Sequence, residues 1–196
     1  AKGKVMKGHQ SHQMRRGDVL TPTDAALLES PLDFLSQDHL RERQVCSLLD
    51  SLATSLSFDP PAARNVLRFV NEELSVHMQD DAEDLFPLLS RRCTAEDGIG
   101  RAIARISTDL EEAARLLPEL RAALARCLDT GSELSTEDRR VFTLFAGHVR
   151  RHLAAENAIV LPIARARLTR RDLKELSSHM RSRRGLEPLT EASDAG

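Results

Sequence analysis

Two stretches of this chain repeat one pattern: VHMQDDAEDLFP at residues 76–87 and AGHVRRHLAAENAIVLP at residues 146–162. In each stretch a histidine is followed four residues later by a carboxylate. After three further residues come two apolar residues and a proline. The pairs are His77 with Asp81 and His152 with Glu156. A spacing of four places both side chains of a pair on one face of a helix. Imidazole and carboxylate groups presented by two separate helices suit a transition-metal ion.

The sequence on either side of the repeat predicts five helices whose first residues are typical N-caps. Each start combines Ser, Thr or Asp with Pro or an acidic residue in the first turn. The predicted helices are A (Ser30 to about Ser57), B (Asp59 to about Arg91), C (Thr94 to about Leu128, with a kink or break at Pro118), D (Ser135 to about Arg167) and a short E (Thr169 to Gly185). Because the loops are short, we predict an all-α fold: an up-down-up-down antiparallel four-helix bundle with a short C-terminal fifth helix.

The composition divides the chain into a bundle and two flanking segments. Residues 1–30 are rich in Lys, Gly, His and Gln and are predicted to form a flexible basic leader. Residues 31–185 hold the periodic helices, and residues 186–196 are predicted to be a disordered tail. Pro87 and Pro162 occupy the same place in the two copies of the repeat and are expected to bend or end their helices.

The helical stripes expected to face the core are apolar, but three of them are interrupted at mid-length by His or a carboxylate. The candidate metal ligands on these stripes are His39, His77, Asp81, His148, His152 and Glu156. Burying these groups is costly unless all are satisfied together, which a metal ion achieves. Helix C has no such interruption, and its stripe includes Leu110.

For other polar residues near the repeat, the spacing does not decide whether they bind metal. Glu42 and Glu73 are left open as ligands, as groups supporting a ligand or as surface residues. Asp80 and Glu83 are expected to face water. His179, on helix E, has no partner at ligand spacing and is expected to be exposed.

Charge, hydropathy and cysteines exclude several classes of function. The net charge of -2 gives no general attraction to nucleic acid or to an anionic membrane. No apolar run is long enough to span a membrane. The three cysteines are far apart and form no zinc-binding or CxxC spacing, so reduced thiols and a cytoplasmic location are expected.

Over residues 31–167 the sequence resembles the hemerythrin-like (HHE cation-binding) domain family. The resemblance depends on Asp38-His39 in the first helix together with the two copies of the repeat. It implies a bundle that holds non-haem iron, usually two ions bridged by carboxylate and by an oxo or hydroxo group. It also implies a small ligand such as O2, NO or peroxide.

Two departures from the family pattern affect the expected centre. Similar domains place a His in the third helix, where this chain has Leu110, and His148 is expected to supply an imidazole instead. Asp81 is one methylene shorter than the usual Glu. The number of metal ions, two or one, therefore stays open.

The sequence predicts a non-haem iron protein that binds or senses O2 or a related small ligand. One alternative is a di-iron oxidoreductase of peroxidase, oxidase or ferroxidase type, and whether the protein is an enzyme is left open. The other alternative is a regulatory module that senses iron or redox state and contacts an unidentified protein partner through its basic C-terminal region.

Overall fold

A computed structural model describes residues 21–187, and every regular element in that range is helical. In chain order the α-helices are α1 (Pro31–Thr54), α2 (Pro60–Glu72), α3 (Leu74–Gln79), α4 (Phe86–Arg92), α5 (Ile99–Thr130), α6 (Thr136–Ala155), α7 (Leu161–Arg167) and α8 (Arg170–Arg183). Two π-helical segments, Asp80–Leu85 and Glu156–Val160, connect α3 to α4 and α6 to α7. Predicted helices B and D each form one rod with a π-segment inside, and the rod of helix B has a further break at Glu73, between α2 and α3. The all-α fold with five helices is confirmed.

The helix starts follow the capping chemistry of the sequence. Asp59 accepts a hydrogen bond from the N–H of Ala62 at 3.0 Å. Ser135 and Thr169 each form a reciprocal capping box with the Asp three residues on. The box at Thr94 differs from the prediction, because it closes only the 3₁₀ turn Ala95–Asp97, and α5 begins after Gly98.

Two further predictions about the helices need correction. Helix α5 continues through Pro118, so of the predicted kink or break the break does not occur. The ordered chain also begins before residue 31, because Ala25–Glu29 forms a 3₁₀ helix and Leu28 is fully buried. Ser177 of α8 donates a hydrogen bond to the carbonyl of Leu28. The rest of the predicted leader and most of the predicted tail, residues 1–20 and 188–196, lie outside the described residues.

The four long rods contact one another as a closed bundle. Helix α6 packs against both α1 and α5, and α2 packs against the same two helices from the opposite corner. The N-terminal 3₁₀ helix and α8 lie against one end of this bundle, where α8 also contacts the first π-segment. Among residues 21–187, no helix combines the length and the apolar character that crossing a membrane requires.

The core consists of two apolar clusters with a polar layer between them. Along α1, Leu35 belongs to one cluster and Val45 to the other, and His39 lies between them in sequence. The same order holds in the rod formed by α2, α3 and α4, where His77 lies between Leu74 of one cluster and Leu85 of the other. The histidines of the repeat are thus placed at mid-length of the bundle, away from either end.

Candidate metal centre

Five of the six predicted ligands meet in this polar layer. His39 comes from α1, His77 from α3 and His152 from α6. Asp81 is the second residue of the first π-segment, and Glu156 is the first residue of the second. None of the five is more than 1% exposed. The centroids of the three imidazole rings lie 5.2–6.3 Å from one another. The structure therefore brings together residues that are more than a hundred positions apart in the chain.

The Nε2 atoms of the three histidines point toward carboxylate oxygens. Oε2 of Glu156 lies 3.0 Å from Nε2 of His152 and 3.4 Å from Nε2 of His39. Oδ2 of Asp81 lies 3.5 Å from Nε2 of His77 and 3.7 Å from Nε2 of His152. This convergence of imidazole nitrogens and carboxylate oxygens is the donor set that first-row transition metals prefer.

The two π-segments place the carboxylates equivalently in both rods. The N–H of Phe86 donates to the carbonyl of Asp81, and the N–H of Leu161 donates to the carbonyl of Glu156. Each bond spans five residues instead of four, and each lies directly ahead of Pro87 or Pro162. Since proline has no N–H, it cannot continue the regular bonding pattern there. The prolines thus accompany a local widening of the helix at the carboxylate, a feature often found at functional sites.

Most polar atoms of the cluster have no hydrogen-bond partner within the described part of the chain. Such atoms include both ring nitrogens of His39, His77 and His152 and both carboxylate oxygens of Asp81 and Glu156. Leaving a buried polar group unsatisfied costs about 1–3 kcal/mol, and a charged one costs more. A fold that accepts this cost at one point fits a bound cation, which would satisfy the orphaned atoms together.

Asp38 holds His77 from the side away from the cluster. Its Oδ2 lies 3.2 Å from Nδ1 of His77, although the angle does not meet that of a hydrogen bond. Its Oδ1 accepts from the hydroxyl of Thr23 at 2.7 Å and from Arg41 at 3.3 Å. A carboxylate behind the non-ligating nitrogen of a histidine is the usual support for a metal-binding imidazole.

The cluster strongly changes the protonation of its members. Burial alone would lower the pKa of His77, but Glu42, Asp81 and Asp38 raise it well above the usual value. Burial and the nearby Glu156 raise the pKa of Asp81 well above its ordinary range. Burial would also raise the pKa of Glu156, but His39 and His152 hold it well below the ordinary range. Without a cation, therefore, the cluster retains protons to limit its negative charge.

The structure does not bring His148 into the cluster. Its ring lies between α6 and α5, where Nδ1 is 2.9 Å from Oδ1 of Asp109, and the side chain is 19% exposed. Nε of Arg151 donates to the same oxygen at 2.9 Å. Four helical residues turn through about 40° beyond a full turn, so His148 and Glu156 diverge to opposite sides of His152. The expectation that His148 replaces a third-helix ligand is not supported by this position.

The two residues left open by the sequence occupy different places. Glu42 is 1% exposed, and its Oε1 lies 3.2 Å from Nε2 of His77. Glu73 instead accepts a 3.0 Å hydrogen bond from Arg41 and is 22% exposed. Of the two, only Glu42 reaches the cluster. Sequence reasoning could have favoured Glu42 from its position three residues after His39 on one helical face.

The first π-segment is also fixed from outside the cluster by α8. Asp80, predicted to face water, is fully buried and accepts from Arg183 at 2.9 Å and Arg184 at 2.7 Å. Glu83 accepts from Arg183 at 3.0 Å but stays largely exposed, as predicted. His179 is half exposed and has an unpredicted partner, Asp84, at 2.6 Å.

The fold and the site together define a helical-bundle protein with a buried His/carboxylate cation site. The comparison with protein families agrees with this class: the family described as the hemerythrin HHE cation binding domain matches residues 30–164. The chain belongs to this family. A comparison with curated proteins finds no match.

Proposed function

We propose that this protein binds non-haem iron through His39, His77, Asp81, His152 and Glu156, and that it binds or senses O2 or a related small ligand there. The family supports a cation site, and iron is the metal that its members usually hold. The single observation that carries the proposal is the set of convergent, buried and unsatisfied donor atoms at mid-length of the bundle.

The donor set also favours iron over several other cations. Mg²⁺ and Ca²⁺ prefer oxygen donors, whereas this cluster offers three imidazoles. Structural zinc sites are four-coordinate and commonly rich in cysteine, but Cys46, Cys93 and Cys127 are all outside the cluster. Bound iron would supply redox chemistry and an open coordination position for a small ligand.

The chain's own residues define how a small ligand could be accommodated. The centre lies between the two apolar clusters, and its five proposed ligands are at most 1% exposed. A surface pocket lined by Thr23, Asp38, Arg41 and Glu73 reaches Asp38, the carboxylate that supports His77. This pocket is our candidate route between solvent and the centre.

The deciding experiment measures metal content and ligand response on one sample. The full chain is expressed without added metal, its iron, zinc, copper and nickel are quantified by mass spectrometry, and its absorption spectrum is recorded under argon. A reversible spectral change on adding O2 or NO supports binding or sensing. Rapid turnover with peroxide or Fe(II) would instead support the oxidoreductase alternative, and a chain that takes up no metal from Fe(II) would refute the proposal.

The regulatory alternative has one specific observation in its favour. The arginines of α8 hold Asp80, the residue next to the proposed ligand Asp81, so a partner that binds α8 has a direct physical connection to the centre. No partner follows from the structure. A cytoplasmic location stays a prediction from the unpaired cysteines.

A further inference from the structure

We propose that Glu42 supplies, from the first helix, the carboxylate that the third helix lacks, and so completes a second metal position together with His77 and Asp81. This inference rests on the proposed function, because it assumes that the cluster holds metal. It adds a ligand and assigns the ligands to two separate positions.

Glu42 has the burial and direction of a ligand. It is 1% exposed, its Oε1 makes no hydrogen bond within residues 21–187, and that atom lies 3.2 Å from Nε2 of His77. The neighbouring cation on the same helix, Arg41, is engaged with Asp38 and Glu73. A buried carboxylate oxygen aimed at an imidazole nitrogen, with no donor of its own, is what a cation site leaves when the cation is removed.

A cysteine thiol also lies near Glu42 on α1. Cys46 lies one turn further along α1, and burial followed by the charge of Glu42 raises the pKa of its thiol to about 12. The thiol therefore stays neutral and does not compete as a thiolate ligand. The donors at this level of α1 are the imidazole of His39 and the carboxylates of Glu42 and Asp38, and Asp38 already accepts hydrogen bonds from Thr23 and Arg41.

The shortest contacts group the donors into two sets, and His77 also lies within 4.8 Å of the ligand atoms of His39, His152 and Glu156. His39 and His152 both contact Oε2 of Glu156, at 3.4 and 3.0 Å. Glu42 and Asp81 both contact Nε2 of His77, at 3.2 and 3.5 Å.

Asp81 stands between the two sets, since its Oδ2 is also 3.7 Å from Nε2 of His152. Each set offers imidazole and carboxylate donors, and Asp81 is placed to be shared. Two bound ions would each find imidazole and carboxylate donors here, with Asp81 within reach of both.

The third helix offers no competing donor at this level. The residues of α5 that enter the core include Ile106, Leu110 and Ala113, and all are apolar. Its one buried carboxylate, Asp109, is bound by His148 and Arg151 of α6 and does not reach the cluster. The second position can therefore gain its additional ligand from α1 but not from α5.

The test compares Glu42→Gln with Glu73→Gln in the full chain. Both changes remove one carboxylate charge while keeping the size of the side chain, but only Glu42 contacts His77. Each protein is loaded with Fe(II) under argon and separately with Co(II), desalted, and its metal content per chain is measured together with the Co(II) absorption bands. Wild type and Glu73→Gln should hold two ions, and Glu42→Gln should hold one.

Several outcomes would overturn the inference without touching the proposed function. These are a wild-type protein with one ion per chain, a Glu42→Gln variant that keeps two ions at unchanged affinity, or equal losses in both variants. A wild-type protein that takes up no metal refutes the proposed function itself. If Glu42→Gln fails to fold by circular dichroism, Glu42→Asp keeps the charge on a shorter side chain and should fold, with second-ion affinity weakened at least tenfold. Unchanged affinity in Glu42→Asp would then count against a ligand role.

Discussion

The different roles of His148 and His152 give the sharpest test of the centre. Both lie on α6 four residues apart, and the sequence pattern assigns them the same function. We expect His152→Ala to abolish iron binding and His148→Ala to leave the metal content unchanged. The two variants make the same chemical change on the same helix, so each serves as the control for the other.

The size of the effect follows from the contacts of each ring. His152 is 1% exposed and lies 3.0 Å from Glu156, and removing one partner of a buried pair costs about 3–5 kcal/mol. Losing a metal present at a hundredfold excess over its Kd costs about 2.7 kcal/mol more. For a domain of this size 1 kcal/mol corresponds to about 2–4 °C in Tm, so Tm should fall by at least roughly 10 °C.

His148 should behave differently because its pair with Asp109 is partly exposed. Such pairs contribute about 0.2–1 kcal/mol, so His148→Ala should lower Tm by no more than about 4 °C. The assay is metal content per chain by mass spectrometry, with melting curves measured with and without a chelator. Loss of iron in His148→Ala, or full iron content in His152→Ala, would refute the assignment of the two residues.

Three further predictions concern pH, α8 and helix α5. Carboxylates raise the pKa of His77 above its unfolded value of about 6.5. Protonation of His77 therefore stabilises the metal-free fold below about pH 6.5, and this stabilisation is lost as the pH rises through the raised pKa. Because metal needs the neutral ring, acid should release it, and the Tm difference between loaded and metal-free protein should widen from pH 6 to pH 9. Arg183→Ala removes a hydrogen-bond donor of buried Asp80, so we expect a lower Tm. Because Asp81 is the next residue, we also expect weaker Fe(II) affinity in a titration. Unchanged affinity would show that α8 does not influence the centre. Leu110 packs in an apolar cluster, so Leu110→His should lower the free energy of unfolding by on the order of 1–3 kcal/mol. Added Fe(II) should not restore the Tm of this variant. Recovery of Tm with Fe(II) would show that α5 can contribute a ligand.

Local sequence features account for the helix starts and for the His–carboxylate pair in each copy of the repeat. Capping residues such as Asp59 and Ser135 set the helix starts, because they satisfy N–H groups of their own first turn. The spacing of four placed His77 with Asp81 and His152 with Glu156, since both members of each pair lie on one helix. These are local properties, and a chain reveals them without its tertiary structure.

Which polar residues join the cluster depends on how the separate helices pack against one another. His148 and His152 have equivalent spacing, but Asp109 on a different helix binds the ring of His148. Glu42 reaches His77 only because α1 packs beside α3, and Asp80 is buried only because α8 covers it with two arginines. Helical spacing determines the direction in which a side chain leaves its own helix axis. Which residue it then contacts depends on how separate helices pack.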